Sequence, residues 1–306
     1  MRLNGVEIED TFAEAFTMYG TRVTITAINE KWAREAAVAA TGFATSVIGC
    51  GVEAGIEGPS PATPDGRPGI DCLFFTTSKD AMEKQLINRI GQAVMTTPTT
   101  ACYDGRIAAA GDGEGSPAKL SIGKKLRFFG DGYQASKVID GKRFWRIPVM
   151  EGEFLVQEDF TVVKAVGGGN FLILAGTAGA ALEAAEAAAA AIRSLRGVIL
   201  PFPGGIVRSG SQVGSRYKFL NASTNVSFCP TLRGLVPSTL LPPEVNAVLE
   251  VVIDGVTPAA VAAAMEAGIR VACREGVCRI TAGNYGGRLG KHHFHLHQIL
   301  KQGGTL

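Results

Sequence analysis

The sequence predicts an α+β fold made of two related lobes. Three observations carry this. Four stretches share one grammar of strand-like run, alanine-rich helix and second strand; the last two close on similar Gly-Gly turns; and an aromatic, β-branched stretch lies between the halves. The first unit runs "TRVTITAI" (21–28), "EKWAREAAVAAT" (30–41) and "ATSVIGCG" (44–51). The second runs "IDCLFFTT" (70–77), "KDAMEKQLINRIGQAV" (79–94) and a Thr-rich exit, "MTTPTTACYDG" (95–105). The third is "NFLILAGT" (170–177), "AGAALEAAEAAAAAIRSL" (178–195) and "GVILPFPGGIV" (197–207). The fourth is "VNAVLEVVIDG" (245–255), "TPAAVAAAMEAGIRVACRE" (257–275) and "VCRITAGNYGG" (277–287). Thr257 followed by Pro258 marks a helix start, because a threonine hydroxyl satisfies the orphan amides and proline suits the first turn.

Two such units per half, with right-handed crossovers, make the duplicated β-α-β pattern of the ferredoxin-like plan. The expected division is an N-terminal ferredoxin-like lobe over 1–149 and a C-terminal one over 150–306. "GRIAAAGDGEGSPAK" (105–119) reads as a surface loop. After it, "LRFFGDGYQ" (126–134) and "KRFWRIPVMEGEFLVQEDF" (142–160) read as antiparallel strands turned at Asp131-Gly132 and Asp140-Gly141, and these are expected to bridge the lobes. A doubly wound Rossmann sheet is the alternative, since alternating strands and helices signal α/β folds in general.

With 306 residues, 46% hydrophobic and 19% charged, the chain suits one large domain or two medium ones. Its 30 basic and 28 acidic residues nearly cancel, which argues against a nucleic-acid partner. The longest apolar run (180–195) carries Glu183, Glu186 and Arg193 at helical spacing, so it reads as an amphipathic helix rather than a membrane span. The first ten residues lack the apolar core of a signal peptide, and the expectation is a soluble, cytoplasmic protein. Six scattered cysteines without a C-x-x-C spacing read as reduced, mostly buried thiols.

Two glycine motifs are decoys. "GCGVEA" (49–54) fits a dinucleotide fingerprint, yet Gly55, Gly58 and Pro59 stand where the phosphate-binding helix should open. "GGRLGKH" (286–292) resembles a Walker A ending, but Tyr285 occupies the first glycine position and His292 that of the magnesium-binding hydroxyl. There is no G-x-S-x-G elbow.

All four histidines fall in "KHHFHLH" (291–297). On a strand, His293, His295 and His297 share one side and His292 the other, which admits a zinc site; no closing carboxylate or thiolate is identified, and a terminal strand bearing surface imidazoles is the preferred reading. One acid is better placed. Glu250 sits mid-strand in "AVLEVVIDG" (247–255), on a face with Val248 and Val252, where desolvation would raise its pKa and suit it to acid chemistry. A solvent-facing strand, or a salt bridge to Arg270 or Arg279, is the competing reading.

The strings "NGVEIEDTFAEAF" (4–16), "TPDGRPG" (63–69), "FFGDGYQ" (128–134), "EGEF" (151–154), "PFPGGIV" (201–207), "ASTN" (222–225) and "AGNYGG" (282–287) together resemble the formylmethanofuran:tetrahydromethanopterin formyltransferase family, in order and over nearly the whole chain. The resemblance implies two ferredoxin-like lobes. It also implies formyl transfer between N5 of tetrahydromethanopterin and the amine of methanofuran or an analogue, in an intersubunit cleft, with these two coenzymes as substrates and no metal or nucleotide. It places a strand glutamate at the transfer centre, matching Glu250. The glycine-rich elements 201–215 and 282–290 are then expected to floor the cleft, with Gly204, Gly205, Ser209, Ser211, Asn225 and Asn284 contacting substrate.

Two departures stand out. The family's archaeal members are strongly acidic whereas this chain has formal charge +2, and of the histidines only His295 and His297 match the family's last strand. The mild charge suggests a version from a bacterial methylotroph that oxidises formaldehyde, acting as a homo-oligomer and as the D-type subunit of a formyltransferase/hydrolase complex. The competing functional readings are a non-catalytic pterin-binding or structural subunit of such a complex, and a zinc hydrolase built on the histidines.

Overall fold

A computed structural model describes residues 1–107, 117–210 and 212–302. The chain is a mixed α/β protein with antiparallel and parallel strand pairs and, among the described residues, seven α-helices. It divides into two compact units, Met18–Ala165 and Met1–Thr17 with Val166–Leu306. A cut at 149/150 differs from this at both ends. Val6–Ile8 pairs in parallel with Val277–Thr281, which ties the N-terminal residues to the C-terminal half, and Phe160–Val162 pairs with Ala118–Leu120.

In Met18–Ala165 the order is strand (to Thr26), helix Glu30–Thr41, strand Glu53–Pro59, strand Gly69–Thr76, helix Lys79–Arg89, strand Ala101–Asp104. Glu53–Pro59 pairs with Gly69–Thr76, which pairs with the first strand, which pairs with Ala101–Asp104, all antiparallel. The helices begin where short polar side chains take an orphan amide: Asn29 accepts from Trp32 N (3.1 Å) and Ser78 from Ala81 N (3.1 Å). Ala33, Ala36, Ala37 and Ala40 bury one helical face against Val23, Ile25, Ile70 and Phe74. Each large apolar side chain so buried contributes about 1.5–3 kcal/mol.

Val166–Leu306 repeats the order: strand (to Ala175), helix Ala178–Arg193, strand Val198–Ile199, strand Ala247–Gly255, helix Pro258–Ala272, strand Val277–Thr281. Its pairing is likewise antiparallel, with Val198–Ile199 on Ala247–Gly255, that strand on Val166–Ala175, and Val166–Ala175 on Val277–Thr281. Thr177 and Thr257 cap the two helices, accepting from Ala180 N and Ala260 N. One face of this sheet, with Phe171, Ile173, Val251 and Ile253, packs on the helices through Ala184, Ala188, Ile192, Val261, Ala264 and Met265. The opposite face, with Leu172, Leu174 and Val248, is covered by Phe228, Leu241 and Val245 from the long excursion between Ile199 and Ala247.

Several expected strands are corrected. Residues 44–51 hold a short helix, Val47–Cys50, since Ser46 accepts from Ile48 N (3.3 Å) and the carboxylate of Glu53 from Val47 N (3.0 Å); the strand begins at Glu53. Residues 126–134 end the helix Ile122–Leu126 and form a 3-10 turn, Arg127–Gly130. There the buried pair Ile122 and Leu126 stands at helical i,i+4 spacing. The hairpins Ala135–Ile139, Lys142–Val149 and Gly152–Gln157 are antiparallel as expected. They lie within Met18–Ala165 and extend its strands beside Ala101–Asp104, rather than bridging two lobes. Of the loop 105–119, residues 108–116 lie outside the described residues, and Ala118–Leu120 is a strand.

Candidate active site

Glu250 lies on the face of its sheet turned away from the helices. It stands in register with Leu172 on one side, and on the other it exchanges both backbone bonds with Val207 (2.8 and 2.9 Å). Leu172 in turn is in register with Thr281, so Thr281, Leu172, Glu250 and Val207 form one row across four chain segments. The two glycine-rich segments leave from the ends of this row. Arg270 binds Glu266 (2.8 Å) and Arg279 binds Glu7 (3.0 Å), so neither neutralises Glu250. Among the described residues its carboxyl has no ion-pair or hydrogen-bond partner, and burial pushes its pKa up to about 7. Such a group is protonated and ionised in comparable amounts near neutrality.

The 201–207 segment turns tightly at Pro203–Gly205, with Gly205 N donating to Phe202 O (2.8 Å). Both glycines have left-handed φ, +65° at Gly204 and +80° at Gly205. A side chain on Gly205 would meet Leu200 at 2.6 Å, whereas Gly204 faces open space. Beyond Val207, Ser209 is exposed and its carbonyl accepts the Thr224 hydroxyl (3.1 Å), which brings Ser209 near Asn225. The Asn225 side chain packs by Gly210 and holds no hydrogen bond among the described residues. Ser211 lies outside the described residues.

The 282–290 segment is held by side chains that sequence reasoning did not single out. Asn170, buried beside a register shift in its strand, accepts from Gly283 N (2.6 Å) and donates to Gly283 O (3.2 Å). Glu14, 1% exposed, accepts four backbone amides: Tyr285 N (2.6 Å) and Gly287 N (2.9 Å) on one oxygen, Leu289 N (2.5 Å) and Gly290 N (2.6 Å) on the other. Burial alone would raise this carboxyl, but the four donors outweigh it and lower its pKa to about 2. Gly290 is required because a side chain there would collide with the Ala15 carbonyl. Asn284 donates to Thr11 Oγ1 (3.2 Å) and Phe12 O (3.1 Å), so its amide nitrogen serves the loop. Tyr285 is half-buried, and its hydroxyl oxygen accepts from Val213 N, which joins this loop to the 208–215 segment. Burial, and next the charge of Glu250, raise its phenol pKa, so the hydroxyl keeps its proton. The signal for Glu14 was present in "FAEAF", an acid flanked by alanines on a strand.

The histidines are dispersed. His292–His295 is a strand paired with Phe12–Ala15, while His297 falls in the helix Leu296–Gln302, not on the strand. His292 bonds Thr17 Oγ1 (3.0 Å), His293 bonds Gly290 O (3.1 Å), and His297 bonds Ile8 O (2.8 Å); His295 lies against the Phe12 ring. Among the described residues no three His, Cys, Asp or Glu side chains converge on a metal position, and no helix is long and apolar enough to cross a membrane. All six cysteines are free, and burial pushes the Cys72 and Cys102 thiols upward.

An α/β chain with a carboxyl near neutrality that has no partner among the described residues, in a row whose ends lead to two glycine-rich backbone segments, has the features of a group-transfer enzyme. Family models define the class of enzyme. Residues 1–149 match the model described as formylmethanofuran-tetrahydromethanopterin formyltransferase, and residues 152–299 the model of its proximal lobe. The chain belongs to the formylmethanofuran–tetrahydromethanopterin formyltransferase family. A formyltransferase of that name from Methylococcus capsulatus is 57% identical, covering 98% of this chain and all of the relative. One from Methylobacillus flagellatus is 55% identical over 98% of this chain and all of the relative. The formyltransferase/hydrolase complex of Methylorubrum extorquens, solved with methylofuran, contains a chain 47% identical with TM-score 0.92, covering 98% of both chains.

Proposed function

We propose that the chain moves a formyl group between N5 of tetrahydromethanopterin and the primary amine of methanofuran or a close analogue such as methylofuran. Transfer is direct, within one ternary complex, and draws on the rate gain from holding both amines at one carbon. The observation that carries this reading is Glu250, a half-buried residue whose carboxyl is pushed up to about 7 by desolvation and has no neutralising partner among the described residues. The attacking amine adds to the formyl carbon, and the carbonyl electrons move onto oxygen. Neutral Glu250 gives its proton to the nitrogen that leaves. The carbonyl re-forms as that C–N bond breaks, and the Glu250 carboxylate takes the proton from the newly attached ammonium nitrogen. Glu250 thus ends as it began.

The tetrahedral oxyanion needs oriented donors, each worth about 10²–10³ in rate. Gly204, Gly205 and the side chains of Ser209, Ser211, Asn225 and Asn284 are assigned to substrate contact; of the two glycines, Gly205 already gives its amide to Phe202 O. Asn225 is the best supported of these, its side-chain amide being uncommitted among the described residues. For Asn284 the remaining donor capacity is small, given its bonds to Thr11 and Phe12.

The two lobes are read as ferredoxin-like. Supporting this, each unit runs β-α-β-β-α-β with its strands in the antiparallel order 4-1-3-2. The boundary near 149/150 is read as the division between the halves matched by the two family models. The proposed setting is the cytoplasm, as a homo-oligomer and the formyltransferase subunit of a formyltransferase/hydrolase complex like that of the Methylorubrum relative.

The test is a spectroscopic transfer assay on the purified chain with both coenzymes, varying each against the other. Intersecting, sequential patterns are expected. Ping-pong patterns with a formyl-enzyme burst would contradict direct transfer, and inactivity of the folded chain in its native assembly would favour a non-catalytic subunit.

A further inference from the structure

We propose that Glu14 is a positioning residue for formyl transfer: its carboxylate fixes the 285–290 loop in the one conformation that sets the Tyr285 hydroxyl beside the transfer centre. The inference rests on the reading of Glu250 as the proton-transfer residue.

The loop leaves its strand just after Thr281, which shares a cross-strand row with Glu250 through Leu172. Strands lie about 4.8 Å apart, so the loop starts roughly 10 Å from the Glu250 backbone. Tyr285 comes four positions later, with its ring near Phe16 (6.4 Å between centroids) and its hydroxyl accepting from Val213 N. It therefore stands where both glycine-rich segments meet.

A loop with glycines at 283, 286, 287 and 290 has little conformational preference of its own. Its order comes from outside, as Glu14 takes four of its amides and Asn170 clamps Gly283 at the entry. His293, opposite Glu14 in register, bonds Gly290 O (3.1 Å) at the exit. Four amides of the loop converge on one buried carboxylate. The arrangement is preorganisation of the kind that keeps a donor in place before charge develops. Burial, and next the charge of Glu250, raise the Tyr285 phenol, so the hydroxyl keeps its proton. Its place suits the oxyanion of the tetrahedral intermediate.

Glu14→Gln removes the charge and replaces one acceptor oxygen by an amide that opposes two of the loop N–H groups. In the full chain in its native assembly, kcat should fall at least tenfold with KM changed less, and amide exchange at 285–290 should accelerate. Native kcat together with accelerated exchange would overturn the proposal, leaving the carboxylate a structural clamp alone. Should Glu14→Gln fail to fold, Tyr285→Phe carries the test, because it keeps the backbone bond to Glu14 and removes the hydroxyl. A tenfold or greater fall in kcat with unchanged loop exchange is expected there, and native kcat would overturn the proposal. The two readings fail separately: a native rate in Glu250→Gln removes Glu250 from proton transfer, whereas a native rate in Glu14→Gln removes the positioning role and leaves Glu250 untouched.

Discussion

Glu14 and Glu250 are strand glutamates of the same unit, both withdrawn from water, yet their carboxyls move in opposite directions, to about 2 and to about 7. The difference lies in what surrounds each. Glu14 is ringed by four backbone N–H donors, which stabilise its charge more than burial penalises it. Glu250 is set among Leu172, Val207, Val248 and Val252 without a donor on its carboxyl among the described residues, so burial acts alone. Depth does not decide what a carboxyl does; the count of oriented donors does. One glutamate is a fixed anion that orders backbone, and the other, pushed up to about 7, is the one proposed to carry the proton.

The largest expected effect is on Glu250. Glu250→Gln, nearly isosteric, should lower kcat by about 10²–10⁴ in the transfer assay, the usual contribution of a positioned acid, with an unchanged circular dichroism spectrum. Glu14→Gln should lower stability by about 3 kcal/mol in denaturant unfolding, since buried amides lose their acceptor and each such orphan costs about 1–3 kcal/mol. Its pH dependence has a fixed sign. A carboxyl with a folded pKa of about 2 against an ordinary 4.5 contributes stability above about pH 4.5 that is lost as pH falls toward 2, so the gap between wild type and Glu14→Gln should narrow in acid. For Glu250, raised to about 7, the contribution is present below about 4.5 and lost as pH rises through 7, so Glu250→Gln should gain on wild type between pH 5 and 8.

A smaller effect separates the two turn glycines. Gly205→Ala must hold φ +80° and press on Leu200, and it should cost about 1–3 kcal/mol. Gly204→Ala, with open space around it, should cost about 1 kcal/mol. The smallest is at the histidines. His295→Ala removes an exposed ring from Phe12 and should change stability by about 0.5 kcal/mol, with native transfer activity and native metal content.

Helices were legible because their starts carry short polar caps and their buried faces recur every three to four residues, as in Ala33, Ala36, Ala37 and Ala40. Long strands such as Gly69–Thr76 were legible as apolar β-branched and aromatic runs. Short elements were not. Val47–Cys50 and Arg127–Gly130 are decided by one cap or one tertiary contact, which local pattern does not encode. Glu250 stood out as an acid inside a valine strand, whereas the pairing of Arg270 with Glu266 and of Arg279 with Glu7 is set by tertiary structure. Glu14 escaped because its four partners lie more than 270 positions away in sequence, and Tyr285 because the Gly-rich motif hid it as a turn residue.

The central claim is that Glu250 carries the proton, and the most direct test is the pH dependence of kcat at saturating coenzymes for wild type and Glu250→Gln side by side. Ionisations of the substrates are common to both profiles and cancel in the ratio. The expected ratio is constant in acid and falls as pH rises through about 7, as wild type loses its neutral acid while the variant has none to lose. A ratio near one at every pH, or one that shows no inflection between pH 5 and 9, would contradict the account.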